Sequence, residues 1–145
     1  MPTSPVSSAS SPASSSERTL LETFLDGCRT ALPATLDGLD EEQVRRRLVS
    51  SRTTLLGLLK HLTYVEAFWF QHAVTGASLR DLGVASTPDR SFVLRKDDSA
   101  ASLRAAHAAV VEASRAAVAG RPLDEVVTGR GRPVSGRFVH LLVLM

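Results

Sequence analysis

The stretch from Thr53 to Phe70 constrains the fold most strongly, because its apolar residues recur at helical spacing. At about 100° per residue, seven apolar side chains fall on one stripe of a helix. These residues are Leu55, Leu58, Leu59, Leu62, Val65, Trp69 and Ala73. We predict that this stripe faces the core and that Lys60, Tyr64 and Gln71 lie on the opposite side. The pattern therefore predicts an amphipathic helix, called helix two below, that ends near Gly76.

Helix two also carries two ionisable residues at the edge of its apolar face. Glu66 falls inside the stripe and His61 lies on its flank. Because a buried carboxylate is costly unless it is paired, Glu66 needs a partner. We favour a hydrogen bond to a donor on helix one or helix four, for example an arginine, over a supporting role beside His61. The two residues are five apart, a spacing that does not place them on one helix face.

The segment Leu55-Leu-Gly-Leu-Leu-Lys-His-Leu-Thr-Tyr-Val-Glu-Ala-Phe-Trp-Phe70 resembles helix two of the DinB-like superfamily. The branch it resembles is the actinobacterial group related to mycothiol-dependent maleylpyruvate isomerase. Three shorter motifs follow the same order along the chain, at residues 36–43, 97–99 and 134–138. The resemblance covers residues 17–145 and implies an all-α, up-down four-helix bundle.

The same resemblance implies a divalent metal, zinc or nickel, held by three side chains. His61 matches the ligand on helix two. The other two ligands would be a Glu/His or His/His pair four residues apart on the last helix, and residues 17–145 contain no such pair. We therefore expect the last helix to be truncated at Met145 and the site to be incomplete or inactive.

In an intact relative, the implied chemistry is metal-dependent transfer or isomerisation with mycothiol, acting on a small-molecule or thiol substrate. The alternative is a non-catalytic helical-bundle module that self-associates. For the self-associating form we expect a homodimer through residues 138–145, which are apolar around nearly the whole helix.

The other histidines give little support to a metal site by spacing alone. His61 and His72 lie nearly on one line of helix two, but the rise per residue separates them by roughly 16 Å. His107 on helix three and His140 on helix four could join His61 only across the bundle. Bundle metal sites usually include a closely spaced ligand pair.

Composition divides the chain into a tail and one domain. Residues 1–16 contain eight serines and three prolines and no charge, so we predict a disordered tail. Residues 17–145 form the predicted domain. Helix one is expected from Glu17 to Leu32, capped by Ser16 and ended by Pro33. Its predicted inner stripe is Leu20, Leu21, Phe24, Leu25, Cys28 and Leu32.

The remaining elements are predicted from caps and breakers. A short helix is expected at residues 40–48, followed after helix two by a loop at 77–98 in which 91–95 could be extended. Helix three is expected to start at Asp98 or Ser99 and to end before Gly120. Its predicted inner stripe is Leu103, Ala106, Val110 and Val118, with Ala113 or Ala117 alongside. A second loop, 121–134, should precede a last helix that opens at Ser135.

Charge and cysteine content limit the function classes. The net charge is +2, and the basic run at residues 45–47 fits a solvated helix face, so neither nucleic-acid nor membrane binding is expected. Cys28 is the only cysteine, which excludes an internal disulfide and favours a reducing cytoplasm. We predict that its thiol is buried. No signal peptide or membrane-length apolar run is visible.

Overall fold

The computed structural model describes residues 12–129 and 131–144. Its α-helices are α1 Pro12–Ala34, α2 Glu41–Arg45, α3 Leu55–Glu66, α4 Ala73–Thr75, α5 Pro88–Ser91, α6 Ala100–Val118 and α7 Gly136–Leu144. A π-helical segment, Ala67–His72, joins α3 to α4, so that helix two runs without a break. Two short strands, β1 Val126–Val127 and β2 Val134–Ser135, pair antiparallel just before α7. The predicted all-α class is confirmed.

Four long elements form the body of the molecule. The continuous helix α3–α4 packs against α6, its π-helical segment also contacts α7, and α1 packs against α7. Among the described residues, no helix is both long enough and apolar enough to cross a membrane. The part of the predicted tail at residues 1–11 lies outside the described residues.

Capping residues determine several helix ends, and those at Gly76 and Ser99 agree with the prediction. The side chain of Thr54 accepts a hydrogen bond from the Gly57 amide at the start of α3. Ser99 and Ser102 form a reciprocal capping box at the start of α6. Gly76 ends α4 with φ of 78°, a left-handed conformation that glycine adopts without a Cβ clash.

Helix one is longer than predicted and presents a different face to the core. It begins at Pro12 rather than Glu17 and passes through Pro33 to Ala34. The helical hydrogen-bond pattern continues past Pro33, since the Thr35 amide, two residues further on, bonds to the Ala31 carbonyl at 3.2 Å. Leu25 is buried as predicted, but three residues of the predicted inner stripe are exposed, namely Leu20, Phe24 and Cys28. The prediction of a buried Cys28 thiol is therefore wrong.

The rotation of helix one has a physical cause. Arg29 points inward, with 8% of its side chain exposed, and pairs with Glu66 on α3. Leu25, Arg29 and Leu32 lie four and three residues apart, so they share one face. Turning this face inward places Phe24 and Cys28 on the solvent side.

Helix two is also rotated from its predicted orientation. Its fully buried side chains include Leu56, Leu59 and Phe70, whereas Leu62, one of the predicted core residues, is half-buried. Other half-buried members of the predicted stripe are Leu55, Leu58, Val65 and Trp69. Tyr64 and Gln71, predicted to face away from the core, are buried. The π-helical segment contributes to this difference, because it changes the angular spacing of the residues after Glu66.

The inner face of α6 also differs from the predicted one. Leu103 and Val118 are buried as predicted, but the other buried residues are His107, Val111 and Ser114. Ala106 is exposed instead. Ser114 can lie inside because its hydroxyl accepts a hydrogen bond from the Gln71 amide at 3.3 Å. Apolar periodicity alone does not reveal such polar pairs.

The core consists of two apolar clusters. One contains Leu36, Val44, Leu56, Leu59 and Leu103. The other contains Leu25, Phe70, Val118, Val127 and Val139. Along α1, α3 and α6, the buried polar residues Arg29, Glu66 and His107 occupy chain positions between the two clusters. The interior therefore has a polar layer between two apolar ones.

The segments predicted as loops contain small ordered elements. Residues 88–91 form α5, since Thr87 caps the turn and Pro88 follows it, so Ser91 of the predicted extended piece at 91–95 is helical. The predicted short helix ends early, because Arg46 is already extended. In the second loop, the Gly129 amide donates to the Ala73 carbonyl at 3.0 Å. A Cβ atom at residue 129 would lie 2.6 Å from that oxygen, so the close approach requires glycine.

Candidate functional site

His61 is held by the short helix α5. Its Nδ1 atom lies 2.6 Å from the Ser91 hydroxyl, and that hydroxyl also donates to the Pro88 carbonyl. Ser91 has one hydroxyl proton and the carbonyl has none. Both contacts are therefore hydrogen bonds only when Nδ1 carries a proton and donates it to Ser91. In the neutral ring this leaves the lone pair on Nε2 free to accept a proton or to bind a metal ion.

An aromatic ring fixes the plane of the imidazole. The ring of Phe92 stacks on His61 with centroids 3.9 Å apart and an angle of 13° between the planes. The backbone at Phe92 can come this close to α3 because residue 57 is glycine. A Cβ atom there would lie 2.9 Å from the Phe92 carbonyl oxygen. Gly57 thus allows the segment that holds His61 to pack against α3.

Burial keeps the His61 ring uncharged. The loss of solvent around the half-buried imidazole lowers its pKa below the ordinary value of 6.5. At about pH 7 the ring is therefore neutral, in the form that a base or a metal ligand requires. Sequence reasoning identified His61 but missed Ser91, which is 1% exposed. The available signal was the Thr87-Pro88 helix start, four residues before Ser91.

A groove of about 960 Å³ is lined by Ser91, the hydrogen-bond partner of His61, whereas His61 itself is not among its lining residues. The groove lies between helix two, α6 and the 80–98 segment. Its apolar wall includes Val84, Val93 and Leu103. The groove is large enough for a small organic molecule in contact with the residues around His61.

Basic side chains dominate the charge of the groove. Its charged lining residues are Lys60, Arg80, Arg90, Arg95 and Asp98. The Lys60 ammonium bonds to Asp98 at 2.6 Å. Burial alone would raise the pKa of Asp98, but the Arg95 amide and the Lys60 ammonium together hold it below its ordinary value. Asp98 is therefore ionised at neutral pH, and the groove carries an excess of positive charge.

Glu66 forms the arginine pair that was predicted for it. Arg29 of α1 donates to one Glu66 carboxylate oxygen from Nε at 3.1 Å and from Nη2 at 2.5 Å. Burial raises the pKa of Glu66, and the hydrogen bonds and charge of Arg29 oppose that rise. Both side chains are nearly inaccessible to solvent. Glu66 is thus a structural partner of Arg29.

The other histidines have separate local partners. His72 bonds through Nδ1 to the Ala77 carbonyl at 2.7 Å, and His140 bonds to the Gly136 carbonyl at 2.8 Å. Burial lowers the pKa of both His107 and His140. Within residues 12–129 and 131–144, no three His, Cys, Asp or Glu side chains lie close enough together to hold a metal ion. The donors described here therefore do not fit the three-ligand site that the resemblance implies.

Ser91 thus connects the His61 ring to a groove with an excess of basic side chains. The family model for mycothiol-S-transferase matches residues 20–144. The chain therefore belongs to the mycothiol-S-transferase family, which confirms the resemblance to the mycothiol-related branch of the DinB-like superfamily. Neither the curated proteins nor the solved structures gave a match.

Proposed function

We propose that this chain transfers the thiol of mycothiol to an electrophilic small molecule, with His61 and the adjoining groove as the site. The family match supports the thiol chemistry. The observation that carries the assignment to this site is the His61–Ser91 hydrogen bond, because it leaves the Nε2 lone pair of a neutral imidazole free. The groove next to Ser91 provides the space for the electrophile.

The reaction needs a base and an electrophile. Nε2 of His61 accepts the proton of the thiol, and the resulting thiolate attacks the electrophilic carbon. A carbon–sulfur bond forms as the bond to the leaving group breaks, and the leaving group takes the electron pair. His61 then returns its proton to the leaving group or to water. General-base assistance of this kind contributes on the order of 10²–10⁴ in rate.

The charge of the groove helps the proton transfer. A free thiol has a pKa of about 8.5. The pKa of His61 is below 6.5, so the transfer to this ring is uphill unless the thiolate is stabilised. Positive side chains beside a thiol lower its pKa. The excess of basic residues around the groove therefore favours the thiolate that attacks the electrophile.

A zinc or nickel ion with His61 as one ligand belongs to the same proposal, on the strength of the family resemblance. The described side chains contain no cluster of three potential ligands, whereas such sites use at least three protein ligands. We therefore expect the purified chain to bind zinc or nickel weakly. Calorimetric titration checks this expectation. Tight stoichiometric binding that is lost in His61→Ala would contradict this expectation and would indicate that a metal ion takes part in the reaction.

A transfer assay tests the proposed function. Mycothiol and an uncharged alkylating agent such as iodoacetamide are mixed with the full chain, and the thioether product is measured against a protein-free blank. We expect product formation above the blank and a loss of on the order of 10²-fold or more in His61→Ala.

The matched control is His72→Ala, which removes a histidine from the same helix that bonds to the Ala77 carbonyl instead of Ser91, and it should retain activity. Circular dichroism confirms that both variants are folded. No transfer above the blank, or equal transfer by His61→Ala, would contradict the proposal.

A further inference from the structure

Among the described residues, eight of fourteen arginines pair with carboxylates: Arg18, Arg29, Arg45, Arg46, Arg104, Arg115, Arg121 and Arg137. Arg80, Arg90 and Arg95 differ, since no carboxylate among the described residues lies within ion-pair distance of their guanidinium groups. All three line the groove beside Ser91. Three of the six described arginines without an ion pair therefore line this one groove, and the other three are Arg47, Arg52 and Arg132.

The anionic groups in the groove do not neutralise these cations. Asp98 is the one carboxylate in its lining; Lys60 binds it, and its charge also interacts with Arg95, so that Arg80 and Arg90 are left without an anionic partner in the lining. Arg90 belongs to α5, the helix that holds His61 through Ser91, and Arg80 lies on the segment that follows helix two. A ligand that enters the groove thus meets guanidinium groups from two separate segments of the chain.

The rest of the lining restricts the ligand further. Most of the groove wall is apolar, with Val84, Val93 and Leu103 among the contacts. A guanidinium group matches a carboxylate with two parallel hydrogen bonds, and such charged bonds are stronger than neutral ones. The lining therefore fits a molecule with an apolar body and at least one carboxylate.

From this geometry we infer that the groove binds a small organic carboxylate and that Arg80 and Arg90 recognise its charged end. The inference rests on the proposed function in one respect: it makes this carboxylate the electrophilic co-substrate. The anion site itself can be measured without any reaction. Arg95 adds positive charge at the same groove and is a secondary contributor.

Two small probes of one shape test the inference on the full chain: benzoate and its uncharged counterpart benzamide. Binding is followed by NMR as amide resonances shift during titration. We expect benzoate to bind about tenfold more tightly than benzamide, because charged hydrogen bonds discriminate by at least that factor. The largest shifts should fall in groove residues such as Tyr64 and Val84.

Substitutions locate the site. Arg80→Gln and Arg90→Gln should each weaken benzoate binding about tenfold, since each removes a charged donor. Arg90→Lys retains the charge but loses the paired donors, so its affinity for benzoate should lie between those of wild type and Arg90→Gln. Arg47→Gln is the matched control. Arg47 is exposed and has no carboxylate partner among the described residues, but it lies outside the groove.

Two results would overturn the inference. One is equal binding of benzoate and benzamide, and the other is a loss of benzoate binding in Arg47→Gln as large as in Arg90→Gln. Because these arginines are exposed, the variants should stay folded, and circular dichroism verifies it. Benzoate binding without any thiol transfer would contradict the proposed function but not this inference. Thiol transfer to neutral electrophiles without benzoate binding would contradict this inference but not the proposed function.

Discussion

Removing Arg29 tests whether the polar layer of the core is essential to the fold. Arg29 makes two hydrogen bonds to Glu66, and both side chains are buried, with 8% and 4% exposed. In Arg29→Met the Glu66 carboxylate keeps a hydrogen bond from Ser114 but loses its opposite charge. Removing one partner of a buried ion pair costs roughly 3–5 kcal/mol in stability. We expect a loss of this size in the free energy of unfolding at about pH 7.

The size of the loss should depend on pH. Burial already raises the pKa of Glu66, and without Arg29 nothing of comparable strength opposes that rise. The unpaired carboxyl then binds a proton more readily in the native state than in the unfolded chain. Native-state protonation stabilises the variant as pH falls, so Arg29→Met should be less destabilised relative to wild type at about pH 5 than at about pH 7.

Urea unfolding followed by circular dichroism measures both effects. Arg29→Met/Glu66→Leu should recover most of the loss, because it leaves no buried charge. Arg115→Met is the control, since it breaks the more exposed pair with Asp26 and should cost less than about 1 kcal/mol. A cost below about 1 kcal/mol for Arg29→Met, or equal costs at both pH values, would refute the reasoning.

Three further predictions concern packing, pH and association. Gly57→Ala should cost about 1–3 kcal/mol, because the new Cβ meets the Phe92 carbonyl; an unchanged urea midpoint would contradict this. Burial lowers the pKa of three histidines, so the unfolded chain protonates them at higher pH than the native state does. The free energy of unfolding should therefore fall as pH drops below about 6.5, and less steeply in His107→Gln; equal slopes would contradict it. Exposed apolar side chains on α1 and α7, such as Phe24 and Phe138, should support a homodimer in sedimentation experiments. Phe138→Glu should weaken this dimer and Leu48→Glu should not, whereas a monomeric wild type at tens of micromolar would exclude it.

The fold and several helix ends could be predicted because they depend on local chemistry. Thr54, Gly76, Ser99 and Gly120 mark helix ends through hydrogen bonds and backbone conformations that involve only neighbouring residues. The partner of Glu66 could be predicted by type, as a buried carboxylate needs a cation. Its identity as Arg29 could not, because the two residues are 37 positions apart.

The helix faces and most of the site could not be predicted, since they depend on polar contacts between distant segments. Apolar periodicity predicts that Phe24 faces the core and that Arg29 faces solvent, because it takes no account of buried ion pairs. His61 was identified through its motif. Its fixed tautomer depends on Ser91, which is 30 residues away on a helix of four residues. The groove arginines are scattered over residues 80–95, and only folding shows that they line one groove.

A nitrogen NMR spectrum of the histidine side chains, recorded before and after mycothiol is added, tests the role of His61 most directly. We expect His61 to carry its proton on Nδ1, bonded to Ser91, and Nε2 to be unprotonated at about pH 7. Mycothiol should shift the Nε2 resonance of His61 and leave that of His72 unchanged. A proton on Nε2 of His61, or a His61 resonance that does not respond to mycothiol, would contradict the assignment of thiol transfer to this site.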